Sequence, residues 1–181
     1  KLDYWDRVFM RAEDVVGQKS VSRVKINQMV DQISRLIISR DKKILKLAKN
    51  HLTLDDFLTI KSRMIGTGFI GGKSVGMLVA RNVLLHDKAL QAKKFLEPHD
   101  SYYVGSDVFY AYIVENGWWQ ERMEQRAERG YFTVAISLKE KLLHGVFPEE
   151  IQEQFQQMID YFGQSPIIVR SSSLLEDSYG N

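Results

Sequence analysis

Residues Ile65 to Leu78 have the sequence Ile-Gly-Thr-Gly-Phe-Ile-Gly-Gly-Lys-Ser-Val-Gly-Met-Leu, in which five of the fourteen residues are glycine. Ordering glycine costs more conformational entropy than ordering any other residue, so a cluster this dense indicates a backbone that must approach another group closely. Apolar residues at helical spacing follow and predict a helix from Lys73 to about His86. The unpaired N–H groups of its first turn would lie beside Lys73, an arrangement that suits a phosphate.

The composition is that of a folded protein with a mixed surface. The chain has 181 residues, 44% of them hydrophobic, and 25 Lys and Arg against 23 Asp and Glu. The net charge of +2 indicates neither nucleic acid nor an anionic membrane as a partner. No cysteine is present, which excludes disulfides and cysteine nucleophiles. No apolar run reaches the roughly 18 residues of a membrane span, and we expect a cytoplasmic protein.

The first sixty residues are predicted to be helical. A short helix is expected between Lys1 and Gly17, and Thr53 followed by two aspartates predicts the start of another from Leu54 to Lys61. Between them, one long helix is predicted from a stripe spaced alternately four and three residues apart: Ile26, Val30, Ile33, Ile37, Arg40, Ile44 and Leu47. The stripe either packs within the protein or forms a coiled coil between two copies, which would give a homodimer.

The rest of the chain alternates short elements. A helical segment is expected from Lys88 to Pro98, and a short strand from Ser101 to Val104. Four further helices are predicted over residues 106–117, 118–129, 133–144 and 148–162, the last ending at Gly163. The β-branched run from Pro166 to Arg170 predicts a strand buried on both faces.

The glycine stretch supports two familiar motifs only in part. Gly66 to Gly71 matches G-x-G-x-x-G, with Asp87 at the spacing of a ribose-binding acid, but a dinucleotide fold needs strands before the glycines and before the acid. The Gly72-Lys73-Ser74 run resembles the end of a Walker A loop, but position 67 is threonine where that motif requires glycine. Neither interpretation explains the arginine that ends the later strand.

A third interpretation takes both segments together. Gly71-Gly72-Lys73 opening a helix, followed far along the chain by Pro166-Ile-Ile-Val-Arg170-Ser-Ser-Ser-Leu-Leu-Glu176-Asp177, resembles the N-terminal nucleotide-binding region of the phosphoenolpyruvate synthase and pyruvate, phosphate dikinase family. That family has a G-G-K-G segment and a V-R-S-S-A-x-x-E-D segment in an ATP-grasp domain. The resemblance covers Gly66 to Asn181. Ser74 stands where the family has glycine, and Ser173 where it has alanine.

The resemblance implies an ATP site. Gly71, Gly72, Lys73, Arg170, Ser171 and Ser172 are the residues expected to bind the nucleotide. Lysine offers a point charge and arginine a planar fork for phosphate oxygens, although Arg170 could instead pair with Glu176 or Asp177. The serines could bind phosphate or cap the next turn. We assign no metal site and no catalytic residue; Mg²⁺ is expected with ATP, on ligands outside this chain.

These expectations define a helix-rich α/β fold, the first part of an ATP-grasp nucleotide-binding domain. Residues 1–62 would form a helical linker or interaction segment, and residues 63–181 the beginning of the nucleotide-binding domain, continued in a longer protein. That protein would use ATP to phosphorylate a histidine in another domain and then pyruvate or a related acceptor. The isolated piece is expected to be inactive. The alternative is a non-enzymatic helical interaction or regulatory module whose glycine loop is only a tight connection.

Overall fold

The computed structural model describes residues 2–18, 20–97, 100–126 and 131–172, and within these it contains nine α-helices. The chain divides into two compact units. The first comprises Lys1–Gly105 together with Ile168–Asn181, and the second comprises Ser106–Ile167. Among the described residues, no helix combines the length and the apolar character needed to cross a membrane.

Four helices begin the first unit: α1 (Tyr4–Gly17), α2 (Arg23–Ile37), α3 (Lys42–His51) and α4 (Leu54–Ser62). Each is preceded by a polar residue whose side chain accepts a first-turn amide, as N-caps do, and these caps are Asp3, Ser22, Asp41 and Thr53. The predicted helices at Lys1 to Gly17 and at Leu54 to Lys61 are therefore confirmed.

The single long helix predicted over the apolar stripe is wrong, because the chain breaks between Ile37 and Lys42. The backbone amide of Asp41 donates to Ser39 Oγ at 3.0 Å, and the Asp41 carboxylate accepts the amides of Lys43 and Ile44. These local bonds compete with helix continuation and start a new helix instead. The stripe packs within the chain, where Val30, Ile33 and Ile37 are buried in the core.

The core of the first unit contains residues from both predicted segments of the chain, 1–62 and 63–181. It includes buried residues of the four helices, among them Val8, Ile33, Ala48 and Phe57, and residues that follow them, Ile70, Val75, Val79 and Tyr103. Burial raises the pKa of the Tyr103 phenol to about 12, so this side chain is neutral at physiological pH. The division of the sequence between residues 62 and 63 stays a prediction.

A small parallel sheet leads into the glycine stretch. Strand β1 (Met64–Ile65) pairs with β2 (Tyr103–Val104), and Met64 lies opposite Tyr103. Helix α5 (Gly72–His86) follows the glycines, confirming the helix predicted from Lys73. The sequence predicted β2 but missed β1, whose two residues are too few for a recognisable alternating pattern.

The helical segment predicted from Lys88 to Pro98 is wrong. Of its described residues, only Ala92–Lys94 form a 3₁₀ turn. The Asp87 carboxylate accepts the amides of Ala89 and Leu90, and Gln91 has a φ of 45°, in the left-handed region. Both features favour a turn over a helix.

The second unit contains α6 (Ser106–Glu115), α7 (Trp119–Arg126), α8 (Tyr131–Leu142) and α9 (Glu149–Phe162), which confirms the four predicted helices. Its buried residues include Val108, Tyr112, Ile113, Leu138 and Ile151. The Tyr112 hydroxyl donates to the Leu142 carbonyl at 2.8 Å, and its ring lies 4.5 Å from that of Phe147. Gly163 ends α9, as predicted.

The buried strand predicted from Pro166 to Arg170 is wrong. These residues have no regular secondary structure, and the side chains of Ile168 and Val169 are 87% and 90% exposed. The boundary between the two units also falls here, between Ile167 and Ile168. A β-branched sequence forms a strand only beside a neighbouring strand, and the described residues offer this segment none.

Candidate functional site

The candidate site is at the start of α5. Gly71 is the N-cap residue, with a φ of 84° that side-chain-bearing residues rarely adopt, and it has no side chain to accept an amide. The first bond of the helical ladder at this end joins the Val75 amide to the Gly71 carbonyl at 3.1 Å. The amides of the first turn precede that ladder, so their partners must come from elsewhere.

Ser172 supplies one of those partners. The Ser74 amide donates to Ser172 Oγ at 3.2 Å, and the two hydroxyl oxygens lie 3.3 Å apart. The Ser172 side chain thus caps the third helical residue, the position that an N-cap serine would bond, in place of the side chain that Gly71 lacks. A Cβ on Gly71 would collide with the backbone carbonyl of Ser172, so only glycine allows this approach.

This contact brings together the two sequence segments that predicted a nucleotide site. Gly71 is buried, whereas Gly72, Lys73 and Ser172 are partly exposed. Arg170 and Ser171, which directly precede Ser172, are exposed. Lys73 directly precedes Ser74, so both predicted phosphate-binding cations belong to segments that meet here. Glu176 and Asp177 lie outside the described residues.

The beginning of the glycine loop, residues 66–71, is held by the small sheet. The Gly105 amide donates to the Ile65 carbonyl at 2.9 Å, which extends the pairing of β1 with β2 by one residue. A Cβ on Gly105 would collide with the Thr67 carbonyl, so the backbone of the loop lies directly against Gly105. Gly66 and Gly68 have φ angles of 65° and 95°, which lets the loop turn at both places.

The end of the loop is held by the corner between α2 and α3. The Ile70 amide donates to the Ile37 carbonyl at 3.0 Å, and the Ile70 side chain is 3% exposed. The Arg40 guanidinium lies 6.0 Å from the centre of the Phe69 ring. Sequence reasoning missed this support, because Arg40 seemed only an interruption of an apolar stripe.

The position of Asp87 contradicts the dinucleotide interpretation, in which this residue would bind ribose. Asp87 is the C-cap residue of α5, and its carboxylate accepts the amides of Ala89 and Leu90. The next strand, β2, begins only at Tyr103. The acid is therefore not at the end of a strand, where a ribose-binding carboxylate would have to be.

The donor set fits an anionic ligand such as the phosphates of ATP. The start of α5 offers the positive end of the helix dipole, and Lys73 adds a cation at the same turn. Arg170 adds a planar group that can bind two phosphate oxygens. Among residues 2–18, 20–97, 100–126 and 131–172, no cluster of three His, Cys, Asp or Glu side chains could hold a metal ion.

Comparison of the sequence with known protein families agrees with this chemistry. A family model described as "Pyruvate phosphate dikinase, AMP/ATP-binding domain" matches residues 67–181, more than half of the chain. The match begins inside the glycine loop and includes the Arg170 to Ser172 segment. No curated protein and no solved structure matched the chain.

Proposed function

Because the chain belongs to the pyruvate phosphate dikinase AMP/ATP-binding domain family, we propose that it binds ATP where the glycine loop meets the Arg170 to Ser172 segment. The family membership confirms the resemblance predicted from these two motifs. The observation that supports the location most directly is the bond from the Ser74 amide to Ser172 Oγ, which joins the two motifs. One motif alone would offer only one side of a phosphate site.

Each residue has a distinct role in this proposal. Gly71 lets the Ser172 segment come against the helix start, Gly72 lets the backbone come close to the phosphates, and Lys73 neutralises part of their charge there. Arg170 binds phosphate oxygens from the other segment, and Ser171 and Ser172 contribute hydroxyls. Bound ATP would supply the phosphoryl group. The residues named here would hold and orient the ATP, and such positioning is the main contribution of a protein to phosphoryl transfer.

The wider proposal extends to the protein that contains this domain. We propose an ATP-grasp domain whose first part is residues 63–181, with Mg²⁺ bound by ligands outside this chain, in a cytoplasmic enzyme. That enzyme would transfer a phosphoryl group to a histidine of another domain and then to pyruvate or a related acceptor. The isolated piece would be inactive. We do not propose a homodimer through the Ile26 to Leu47 segment, since much of that stripe is buried within the chain.

The test is ATP binding by the intact protein, measured by calorimetry in the presence of Mg²⁺. Removing a charged partner of a phosphate costs about 1.5–3 kcal/mol, so Lys73→Ala and Arg170→Ala should each weaken ATP binding by about tenfold to a hundredfold. Lys88→Ala and Arg23→Ala remove exposed side chains of the same types away from the two motifs. These controls should bind ATP as the wild type does.

Two results would contradict the proposal. Unchanged ATP affinity in both Lys73→Ala and Arg170→Ala would show that the phosphates bind elsewhere. An intact reading frame that contains neither the second part of an ATP-grasp domain nor a histidine domain would overturn the dikinase reaction and favour the alternative of a non-enzymatic module. The two results are independent, because ATP could bind here without that reaction.

A further inference from the structure

We infer that the corner between α2 and α3, residues 37–41, supports the nucleotide site from behind the glycine loop, and that Arg40 is a positioning residue for that loop. This inference rests on the proposed function, since it concerns the same ATP site. The matched family region begins at residue 67, so the corner lies outside it. The helical segment before the match thus contributes to ATP binding without contacting ATP.

The first support for this inference is a backbone bond. The carbonyls of the last helical turn have no partner within their own helix. The Ile37 carbonyl, at the end of α2, accepts the Ile70 amide at 3.0 Å. The carbonyl at the end of α2 and the amide in the glycine loop therefore satisfy each other's hydrogen-bonding capacity. This bond lies one residue before the N-cap of α5.

The corner that provides this bond is rigid. Ile37, Ile38 and Ser39 are almost completely buried. The Ile38 amide donates to the Ser34 carbonyl at 2.9 Å, and the Asp41 amide donates to Ser39 Oγ at 3.0 Å. Such packing and bonding leave the Ile37 carbonyl little freedom to move away from the loop.

The second support is a side-chain contact. Arg40 is exposed, and its guanidinium lies 6.0 Å from the centre of the Phe69 ring, within range of a cation–π interaction. Phe69 and Ile70 lie between Gly68 and Gly71, whose φ angles are both positive. The loop is therefore held at two consecutive residues, between the two glycines where its backbone turns.

The consequence is a loop that is ordered before ATP arrives. Three of the six loop residues, 66–71, are glycine, so an unsupported loop would lose much conformational entropy on binding. Ordering it in advance lowers that cost and raises the affinity for ATP. Arg40 acts through Phe69 and carries no phosphate-binding role of its own.

The experiment is a double-mutant cycle on the intact protein, with ATP affinity measured by calorimetry. A cation–π contact at an exposed site corresponds to about a twofold to fivefold change, so Arg40→Ala and Phe69→Leu should each weaken ATP binding by that factor. The double variant should bind no more weakly than the weaker single variant. Arg40→Lys keeps a cation and should restore most of the affinity.

Arg35→Ala is the matched control, since Arg35 lies in α2, ahead of the corner, and bonds to Asp31 instead of contacting the loop. It should bind ATP as the wild type does. Wild-type affinity in Arg40→Ala, or independent multiplied losses in the double variant, would overturn the inference. Neither result affects the proposed function, which fails only when Lys73→Ala and Arg170→Ala keep full affinity.

Discussion

Ser172 Oγ accepts the backbone amide of Ser74 at 3.2 Å, although 98 residues separate the two in the chain. The bond caps a helix whose own N-cap residue is glycine and has no side chain to offer. A glycine at this position has two consequences: it allows the positive φ of Gly71, and it makes room for the Ser172 carbonyl. The two motifs of the proposed ATP site are thus joined by a capping interaction between distant segments.

Replacing Gly71 with alanine should disrupt this junction. A Cβ at this position would meet the Ser172 carbonyl, and the φ of 84° is strained for alanine. We expect a loss of about 1–3 kcal/mol in the free energy of unfolding, or else a displaced Ser172 segment, with ATP binding weakened in both cases. Chemical denaturation and calorimetry measure the two effects.

Gly76→Ala is the matched control for this substitution. Gly76 lies within the same helix, and a Cβ there would meet nothing within 4 Å. Alanine is the better helix former by about 1 kcal/mol, so this variant should be as stable as the wild type or more stable. An equal free energy of unfolding and an equal ATP affinity in the two alanine variants would contradict the close approach of Ser172 to Gly71.

The contact between Gly105 and the start of the glycine loop gives a second test. Gly105→Ala would place a Cβ against the backbone carbonyl of Thr67, and backbone atoms cannot move aside as a flexible side chain can. We expect a destabilisation of about 1–3 kcal/mol, as for other overpacked sites, measured by chemical denaturation. Gly17→Ala, where a Cβ would meet nothing within 4 Å, should leave stability nearly unchanged; a similar loss there would refute this explanation.

The capping box of α4 predicts a purely structural effect. Thr53 Oγ1 accepts the Asp56 amide at 3.2 Å, and the Asp56 carboxylate accepts the Thr53 amide at 2.7 Å. Thr53→Ala should therefore lower the free energy of unfolding by about 1 kcal/mol, seen as a lower Tm in thermal denaturation. Thr59→Ala, at an exposed position inside the same helix, should cause no such loss. Identical Tm values for the two variants would rule out the cap as a source of stability.

Asp31 provides a stability contribution that depends on pH. Hydrogen bonds from Arg35 and from Lys49 lower the pKa of its carboxyl in the folded protein. Because the folded pKa is the lower one, the contribution is complete above the unfolded pKa of about 3.9 and disappears as the pH falls through the folded value. The two ion pairs of Asp31 are partly exposed to solvent, so the contribution is at most about 1 kcal/mol.

Asp31→Asn should accordingly be less stable than the wild type at pH 7, and equally stable at a pH below both pKa values. Urea denaturation at the two pH values measures the difference. Asp14→Asn, which removes an exposed carboxylate on α1, controls for the general loss of a negative charge. A difference between Asp31→Asn and wild type that stays constant with pH would contradict the ion-pair explanation.

Local signals predicted most of the helices correctly. Thr53 followed by Asp56, Gly71 before Lys73, and Gly163 after Phe162 each mark a helix end through the backbone and side-chain bonds of a few neighbouring residues. The same kind of signal was available at Ser39 and Asp41, where the long predicted helix breaks. The apolar stripe continues on both sides of the break and therefore predicts one uninterrupted helix.

The sequence by itself determined where most helices begin and end, since caps and glycines act over one turn, and it determined the family through two motifs in register. Only the tertiary structure decided that Pro166 to Arg170 is exposed and not a strand, because a strand needs a neighbour that local sequence cannot supply. It also decided that Ser172 caps α5 and that Ile37 holds Ile70. Such contacts depend on how distant segments pack around one core, and no spacing along the chain encodes them.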